Sequence, residues 1–307
     1  MQIITLHTLP AEVYCTATIG FFDGVHSGHR YLLDQLKAAA SEQKQATLVV
    51  TFRRHPRQVL DTNYRPLLLL DYDEKIEHLA QCGIDYCLPL DFTPELAALT
   101  ARQFMEQYLY ARLHVRQLLL GYDHHFGSDR CSFKEYLQIG RETGIRIIKS
   151  HAFTPQDTCI SSSAIRRFLR AGNVESARWA LGYPFALYGT VVEGHRLGRQ
   201  LGFPTANILP DSPEKIIPAD GVYAVRAETD GQQYDAMLNI GRRPTVDNGN
   251  DRTIEAHLFH FNGNLYGQHM QLHFIGRLRE EIQFDSIGQL QAQLQHDAQQ
   301  ALQILHS

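Results

Sequence analysis

The 307-residue sequence has only five cysteines, Cys15, Cys82, Cys87, Cys131 and Cys159, with no CxxC pair among them. That scarcity and spacing exclude a disulfide framework and a cysteine-based zinc site, and they fit reduced thiols in a cytosolic protein. Long apolar runs are missing: nothing approaches the ~20 residues needed to span a bilayer, and "LLLL" at Leu67–Leu70 falls far short. The opening "MQIITLHTLPAEVYC" lacks the basic n-region and apolar core of a signal peptide. Excess charge is missing too. The formal net charge of −4 argues against a chain whose main partner is a nucleic-acid backbone. No internal repeat or low-complexity linker interrupts the chain. The expectation is a soluble, cytoplasmic protein of about two domains, with neither membrane nor nucleic acid as partner.

What is present falls into two patterns. Up to about residue 184, short apolar runs ("TATIGFF", "ATLVVTF", "DYCLPL", "RQLLLGYD", "IRIIKS") alternate with amphipathic stretches such as "YLLDQLKAAASEQ", "PELAALTARQFMEQYLYARL" and "FKEYLQIGRETG". Near-continuously apolar strands separated by helices predict an α/β domain with a parallel sheet covered on both faces. Ligands of such sheets bind beyond the carboxyl ends of the strands, at a topological switch point. From residue 185 the helices give way to "FALYGTVVEG", "GVYAVRAET", "QQYDAMLNIG", "RTIEAHLFHF" and "HMQLHFIG", which predict a small antiparallel β-barrel. Asn-Gly in "FNGNLYG" reads as a hairpin turn. A final helix places Ile287, Leu290, Leu294, Ala298, Ala301 and Leu305 on one face. The joint is expected between residues 184 and 185.

The stretch "TIGFFDGVHSGH" ends a strand and opens a helix. Gly20, Gly24 and Gly28 suit close backbone approach, and Ser27 is the expected helix N-cap. The helix start beyond it offers N–H groups and a positive dipole end to a phosphate, within reach of His26 and His29. An isolated HxxH would read as a glycine turn with exposed histidines, and zinc lacks a third ligand of suitable spacing. "CISSSAIRRFL" sets Ser161, Ser162 and Ser163 at a second helix start with Arg166 one turn in, and "LLLGYDHHFG" ends a strand in a loop carrying Asp123.

In the second half, "EGHRLGRQLGFPTANI" brings Gly194, Gly198 and Gly202 together in a loop with Arg199, ahead of "PTAN". Thr205 and Asn207 alternate along one extended segment and offer oxygen ligands to Mg²⁺ from one side. Glu255 interrupts a strand of apolar residues and histidines. It is either a solvent-facing position or a general base for an alcohol attacking a γ-phosphate. "NIGRRPT" reads as a structural turn.

The string G-x-F-D-G-x-H-x-G-H resembles the nucleotide-binding signature of adenylyl- and cytidylyltransferases. With "TF…HP", "GYDHHFG", "SSSAIR", "GRQLGFPTAN", "DGVYAV", "NIGRRPT" and "LYG…RLREEIQF", nearly the whole chain resembles the prokaryotic bifunctional riboflavin kinase/FMN adenylyltransferase family, the FAD synthetases. The resemblance implies a Rossmann-like nucleotidyltransferase domain followed by a six-stranded Greek-key kinase barrel. It implies that the barrel phosphorylates riboflavin to FMN and that the first domain adenylylates FMN to FAD, with ATP and Mg²⁺ used in both steps. It assigns Gly20, Phe22, Asp23, Gly24, His26, Gly28 and His29 to the nucleotide, with Ser161, Ser162, Ser163 and Arg166 as a second phosphate element and Asp123 near nucleotide and flavin. In the barrel it assigns Gly194, Gly198, Arg199 and Gly202 to the ATP loop, Thr205 and Asn207 to Mg²⁺, Glu255 as base, and Arg277 and Arg279 to the flavin side. Departures from the family pattern are Phe21, where Asn or Thr is common, Arg53 and Arg54 before "HP", Ser163 for Thr, and His260 and Asn262 for acidic residues. The alternative is a single-activity nucleotidyltransferase with a flavin-binding regulatory barrel.

Overall fold

The computed structural model describes residues 1–61, 63–121, 125–155, 160–193, 202–244 and 250–307, which form two compact units, Met1–Ser161 and Ser162–Ser307. Asp123, Gly194, Gly198, Arg199 and Cys159 lie outside the described residues.

In the first unit, six strands lie in the order β1-β4-β3-β2-β5-β6. They are β1 (Gln2–Ile3), β2 (Cys15–Ile19), β3 (Ala46–Phe52), β4 (Tyr86–Leu90), β5 (Val115–Leu120) and β6 (Arg146–Lys149), and every pairing is parallel. Five match the predicted runs; β1, two residues long, is too short to leave a pattern. Side chains alternate between the faces: Leu48 and Val50 enter one apolar core, and Val49 enters another with Leu119 and Cys87. Burial on both faces is why these strands carry so few polar residues. The chain builds outward from β2 through β3 to β4, then crosses to β5 on the other side of β2. The carboxyl end of β2 is therefore the switch point.

The helices of this unit are α1 (Ser27–Glu42), α2 (Pro56–Leu60), α3 (Tyr72–Ala80), α4 (Pro94–Ala98), α5 (Ala101–Phe104) and α6 (Phe133–Thr143). The stretch "PELAALTARQFMEQYLYARL", read as one amphipathic segment, is broken after α4 and runs from α5 into a π-helix, Met105–Tyr110. Leu99 turns extended, and Thr100 caps α5 in a capping box with Gln103. The backbone groups freed at the break are taken up by a distant loop: Ser128 N donates to Leu99 O at 2.9 Å, and Ala101 N donates to Asp129 Oδ1 at 3.0 Å. Periodicity alone cannot show such a partner.

The second unit contains α7 (Ser162–Arg170), α8 (Val174–Leu181), the closed barrel and a C-terminal α9 (Ile287–His306). The sequence sets the joint at 184/185, whereas by packing the helical segment 162–181 goes with the barrel. Glu175 Oε1 accepts from Arg277 N at 2.8 Å, and Leu169 O accepts from Ala219 N at 2.9 Å. The barrel strands are β7 (Ala186–Val192), β8 (Ala206–Pro210), β9 (Gly221–Thr229), β10 (Gln232–Pro244), β11 (Asn250–Leu258) and β12 (His269–Arg279). Their order around the barrel is β10-β11-β8-β7-β12-β9.

Two turn readings change. The Asn262-Gly263 segment joins β11 to β12, which are not neighbours, so it is a crossover rather than a hairpin. The tight hairpin is β9–β10, closed by Asp230 and Gly231 at φ 49° and 71°, the paired positive φ values of a type I′ turn. The residues "NIGRRP", read as a turn, continue β10 to Pro244. On α9, Ala301 and Leu305 are buried with Ala224, Met237 and Phe259, and Leu294 and Ala298 pack beside them. Ile287, by contrast, is exposed, and the buried face includes Asp297 instead.

Nothing lies within 4 Å of a Cβ added at Gly231, so its substitution is opposed by φ alone. We expect Gly231→Ala to cost ~1 kcal/mol, a fall in Tm of roughly 2–4 °C. Gly267→Ala, where φ is 76° and nothing lies within 4 Å of an added Cβ, should cost a similar amount in the same thermal denaturation.

Candidate functional site

The turn after β2 holds its shape by consuming its own polar groups. Phe22 and Val25 adopt φ of 56° and 32°, and Gly24 adopts 86°. Asp23, only 4 % exposed, accepts from Leu69 N at 3.0 Å and Leu70 N at 3.1 Å through Oδ1. Charge-assisted bonds of this kind stabilise by about 1.5–3 kcal/mol each. Asp23 therefore anchors the turn from inside. Gly20 and Gly28 also have internal reasons: a Cβ would come within 3.0 Å of the Phe22 ring and 3.2 Å of His26 Nδ1.

The N-cap of α1 is His26, not Ser27. Its Nδ1 accepts from His29 N at 3.3 Å, so a proton on neutral His26 sits at Nε2. The His26 and His29 rings stack at 3.7 Å, and the edge of His29 meets Phe22 at 5.2 Å. Two imidazoles and the first N–H groups of α1 thus converge at the switch point, which is what an anionic ligand needs. The departure residue Phe21 packs edge-on to His55 at 4.8 Å. His55 caps α2 in the "HP" segment, with Gln58 completing a capping box. Arg53 lies over the Tyr72 ring and pairs with Asp91 at 3.6 Å, an exposed contact. Ser162 and Ser163 open α7, with Arg166 one turn in; Ser161 is the last residue of the first unit. Lys75, on α3, is fully buried against the turn, a neighbour sequence reasoning missed because only tertiary packing brings it there.

In the barrel, a cavity of about 280 Å³ is lined by Phe203, Val222, Met237, Leu290 and Leu294 on its apolar side and by Thr205, Asn239, Glu255 and His257 on its polar side. Glu255 stands opposite Asn207 on β8 and opposite Asn239 on β10. Thr205 Oγ1 donates to Glu255 Oε2 at 3.2 Å. Thr205, Asn207 and Glu255 thereby share one face, as the alternation in "PTAN" predicts. His257 lies two residues along the same face, and its Nδ1 bonds Pro204 O at 2.8 Å. A carbonyl accepts only, so Nδ1 carries the proton, and burial holds the imidazole below its ordinary pKa despite that bond. Asn239 and His257 were not singled out from sequence; the register signal lay in "DAMLNIG" and "EAHLF", but strand pairing was needed to use it.

Gly202 keeps φ at 84° just before Phe203. Arg279 lines the cavity wall, and its guanidinium is committed to the chain: Nε and Nη2 donate to Asp297 at 3.0 and 2.7 Å, and Nη1 to Glu280 O at 2.9 Å. Asp297 is fully buried, so this pair latches α9 onto β12 beside the cavity. Arg277 knits α7 and α8 to the barrel through Ala171 O and Asp220 O at 3.3 and 2.8 Å. Among the described residues no cluster of three or more His, Cys, Asp or Glu could hold a metal ion, and the four described cysteines are buried and free. Asp297→Ala strands the Arg279 cation, and the expected loss is about 3–5 kcal/mol, read as a lowered urea midpoint.

Two sequence-family models match the chain, FAD synthetase over residues 10–164 and riboflavin kinase over residues 181–305. It is 38 % identical over 275 residues to the "Bifunctional riboflavin kinase/FMN adenylyltransferase" of Escherichia coli (strain K12), covering 89 % of this chain and 87 % of that one. Proteins of the same description from Haemophilus influenzae and Bacillus subtilis are 35 % and 34 % identical, with 95 % and 92 % of this chain covered and 95 % and 90 % of theirs. The solved structure titled "Crystal Structure of Macrolide-efflux Protein from Streptococcus pneumoniae" superposes with a TM-score of 0.88 at 31 % identity, covering 97 % of each chain. Its title names a different activity from those of the sequence relatives. Among the described residues of this chain, no helix is long and apolar enough to cross a membrane.

Proposed function

The chain belongs to the family of bifunctional riboflavin kinase/FMN adenylyltransferases, and on that premise we propose how its two units divide the chemistry. It is an enzyme that phosphorylates riboflavin to FMN and adenylylates FMN to FAD. One observation carries the division of labour: His26 and His29 lie in Met1–Ser161, whereas Thr205, Asn207 and Glu255 lie in Ser162–Ser307.

In the barrel, the Glu255 carboxylate takes the proton of the ribityl 5′-hydroxyl as that oxygen attacks the γ-phosphorus of ATP, and ADP leaves. The hydrogen bond from Thr205 orients the carboxylate. The apolar walls of Phe203, Val222 and Met237 suit an aromatic ring system, and the polar edge suits a polyhydroxyl chain. Thr205 and Asn207 offer hydroxyl and amide oxygens beside a carboxylate, a donor set that fits a hard cation. They would hold Mg²⁺, which when bound offsets phosphate charge. Gly202, with Gly194, Gly198 and Arg199, is assigned to the ATP loop. Arg279 serves the flavin through the cavity wall it braces, and Arg277 through the strand it anchors.

In the first unit, an FMN phosphate oxygen attacks the α-phosphorus of ATP and pyrophosphate leaves. The α1 N–H groups and the two histidines meet the charge that develops, with His26 donating through Nε2. The serine-rich element Ser161, Ser162, Ser163 and Arg166 is assigned to phosphate and Asp123 to nucleotide and flavin, on the sequence motifs alone. Soluble, cytoplasmic placement completes the reading.

The test is to incubate the protein with riboflavin, ATP and Mg²⁺ and follow both products by chromatography. FMN should appear first and FAD second; FAD formed only from supplied FMN would mean the barrel is no kinase. His29→Ala should lower FAD formation by ~10²–10³ and spare FMN formation. Glu255→Ala should lower FMN formation by ~10²–10⁴ and leave adenylylation of supplied FMN intact.

A further inference from the structure

The first unit holds a buried cation to which the chemistry above gives no task. Lys75 is 2 % exposed. Its Nζ donates to the carbonyl of Phe52, the last residue of β3, at 2.6 Å, and lies 4.1 Å from the centre of the Phe21 ring. Phe21 in turn is held by its carbonyl, which accepts from Thr51 Oγ1 at 3.2 Å, and by the edge contact with His55. One ammonium therefore ties α3 to the ends of two neighbouring strands. Burying it is costly, and a methionine would fill similar volume without that cost. The charge needs a reason.

The reason lies in the turn. Phe22 and Val25 are non-glycine residues held at positive φ, and such backbone persists only where its surroundings over-determine it. Asp23 is one anchor, through Leu69 and Leu70. The other is the ammonium on the face of Phe21, a cation–π contact stronger for being desolvated. We propose that Lys75 is a positioning residue for adenylyl transfer, its charge fixing Phe21 and through it the turn that presents His26, His29 and the α1 N-terminus to the nucleotide. This rests on reading those histidines as the adenylyl-transfer site.

The groups acting on Lys75 are Asp23 from the turn and Cys87 from β4. Burial pushes the Cys87 thiol up to about 12, so it is neutral at working pH. Burial likewise pulls Lys75 down to about 8, opposed at working pH by the Asp23 carboxylate. The cation is thus present below about pH 8 and lost above it. The neutral amine keeps its bond to Phe52 but loses its hold on the ring.

The experiment uses the full chain with FMN, ATP and Mg²⁺, measuring kcat and KM for FAD formation from about pH 6 to about pH 9.5. FMN formation from riboflavin in the same preparations is the internal reference. The parent rate should fall as pH rises through about 8. Lys75→Met should show a kcat ~10- to 100-fold lower at neutral pH, KM within about twofold, and no alkaline limb. Phe21→Leu removes the ring face and leaves Lys75 in place; it should lower kcat in the same direction, and it stands in if Lys75→Met fails to fold. A lower rate with the alkaline limb unmoved in Lys75→Met is a structural effect and overturns the proposal, as do unchanged rates in both variants. Indifference of FAD formation to His29→Ala would strike the site reading itself, separately from the role of Lys75.

Discussion

The reversal from β2 into α1 is the constraint on which the first site depends. It must turn the chain within seven residues, Gly20 to His26, and leave a helix start facing outward at the switch point. The backbone achieves this only with three residues at positive φ, a conformation that the turn alone would not hold. Asp23 supplies what is missing by accepting two buried N–H groups from the segment that leads into α3. Much of the signature thus works inward. Gly20 and Gly28 make room for Phe22 and His26, and His26 spends one ring nitrogen on capping α1. The residues facing outward are fewer than the motif suggests.

The barrel solves a different problem, since its strands bury one face inside and still support a cavity outside. Alternation does both. Ile254, Ala256 and Leu258 fill the interior while Glu255 and His257 face the cavity. The far wall is α9, whose Leu290 and Leu294 cover the cavity and whose Asp297 is latched to Arg279. A buried ion pair of this kind adds little net stability but fixes register, because any sliding of the helix would strand both charges. Arg279 holds the wall of the cavity, and Arg277 ties the α7–α8 segment to the barrel.

Most of the architecture was legible in the order of residues. Apolar runs separated by helical periods specify a two-face parallel sheet, and the alternation in "PTAN" and "TIEAH" sets Thr205, Asn207 and Glu255 on outward faces, because a strand repeats every two residues wherever it lies. The helix starting at Ser162 and its flanking serines were equally plain. Local signals failed where two local solutions compete. Asn262-Gly263 and Asp230-Gly231 are both good hairpin turns by chemistry, and strand order, a non-local matter, assigned the hairpin to the second. Likewise Ser27 and His26 can both cap α1, and the backbone angle at His26 decided it.

The sequence by itself determined the fold class of each unit, the strand and helix periods, and which residue types stand at the ends of β2 and along β8 and β11, since these follow from neighbours a few positions away. Only the tertiary structure decided that Lys75 and Asp23 brace the turn, that Asp297 rather than Ile287 is buried on α9, that His257 ties its strand to Pro204, and that the segment 162–181 packs with the barrel. Each depends on contacts between residues tens of positions apart, whose free energy comes from burial and from satisfying buried polar groups, and neither is written in local periodicity.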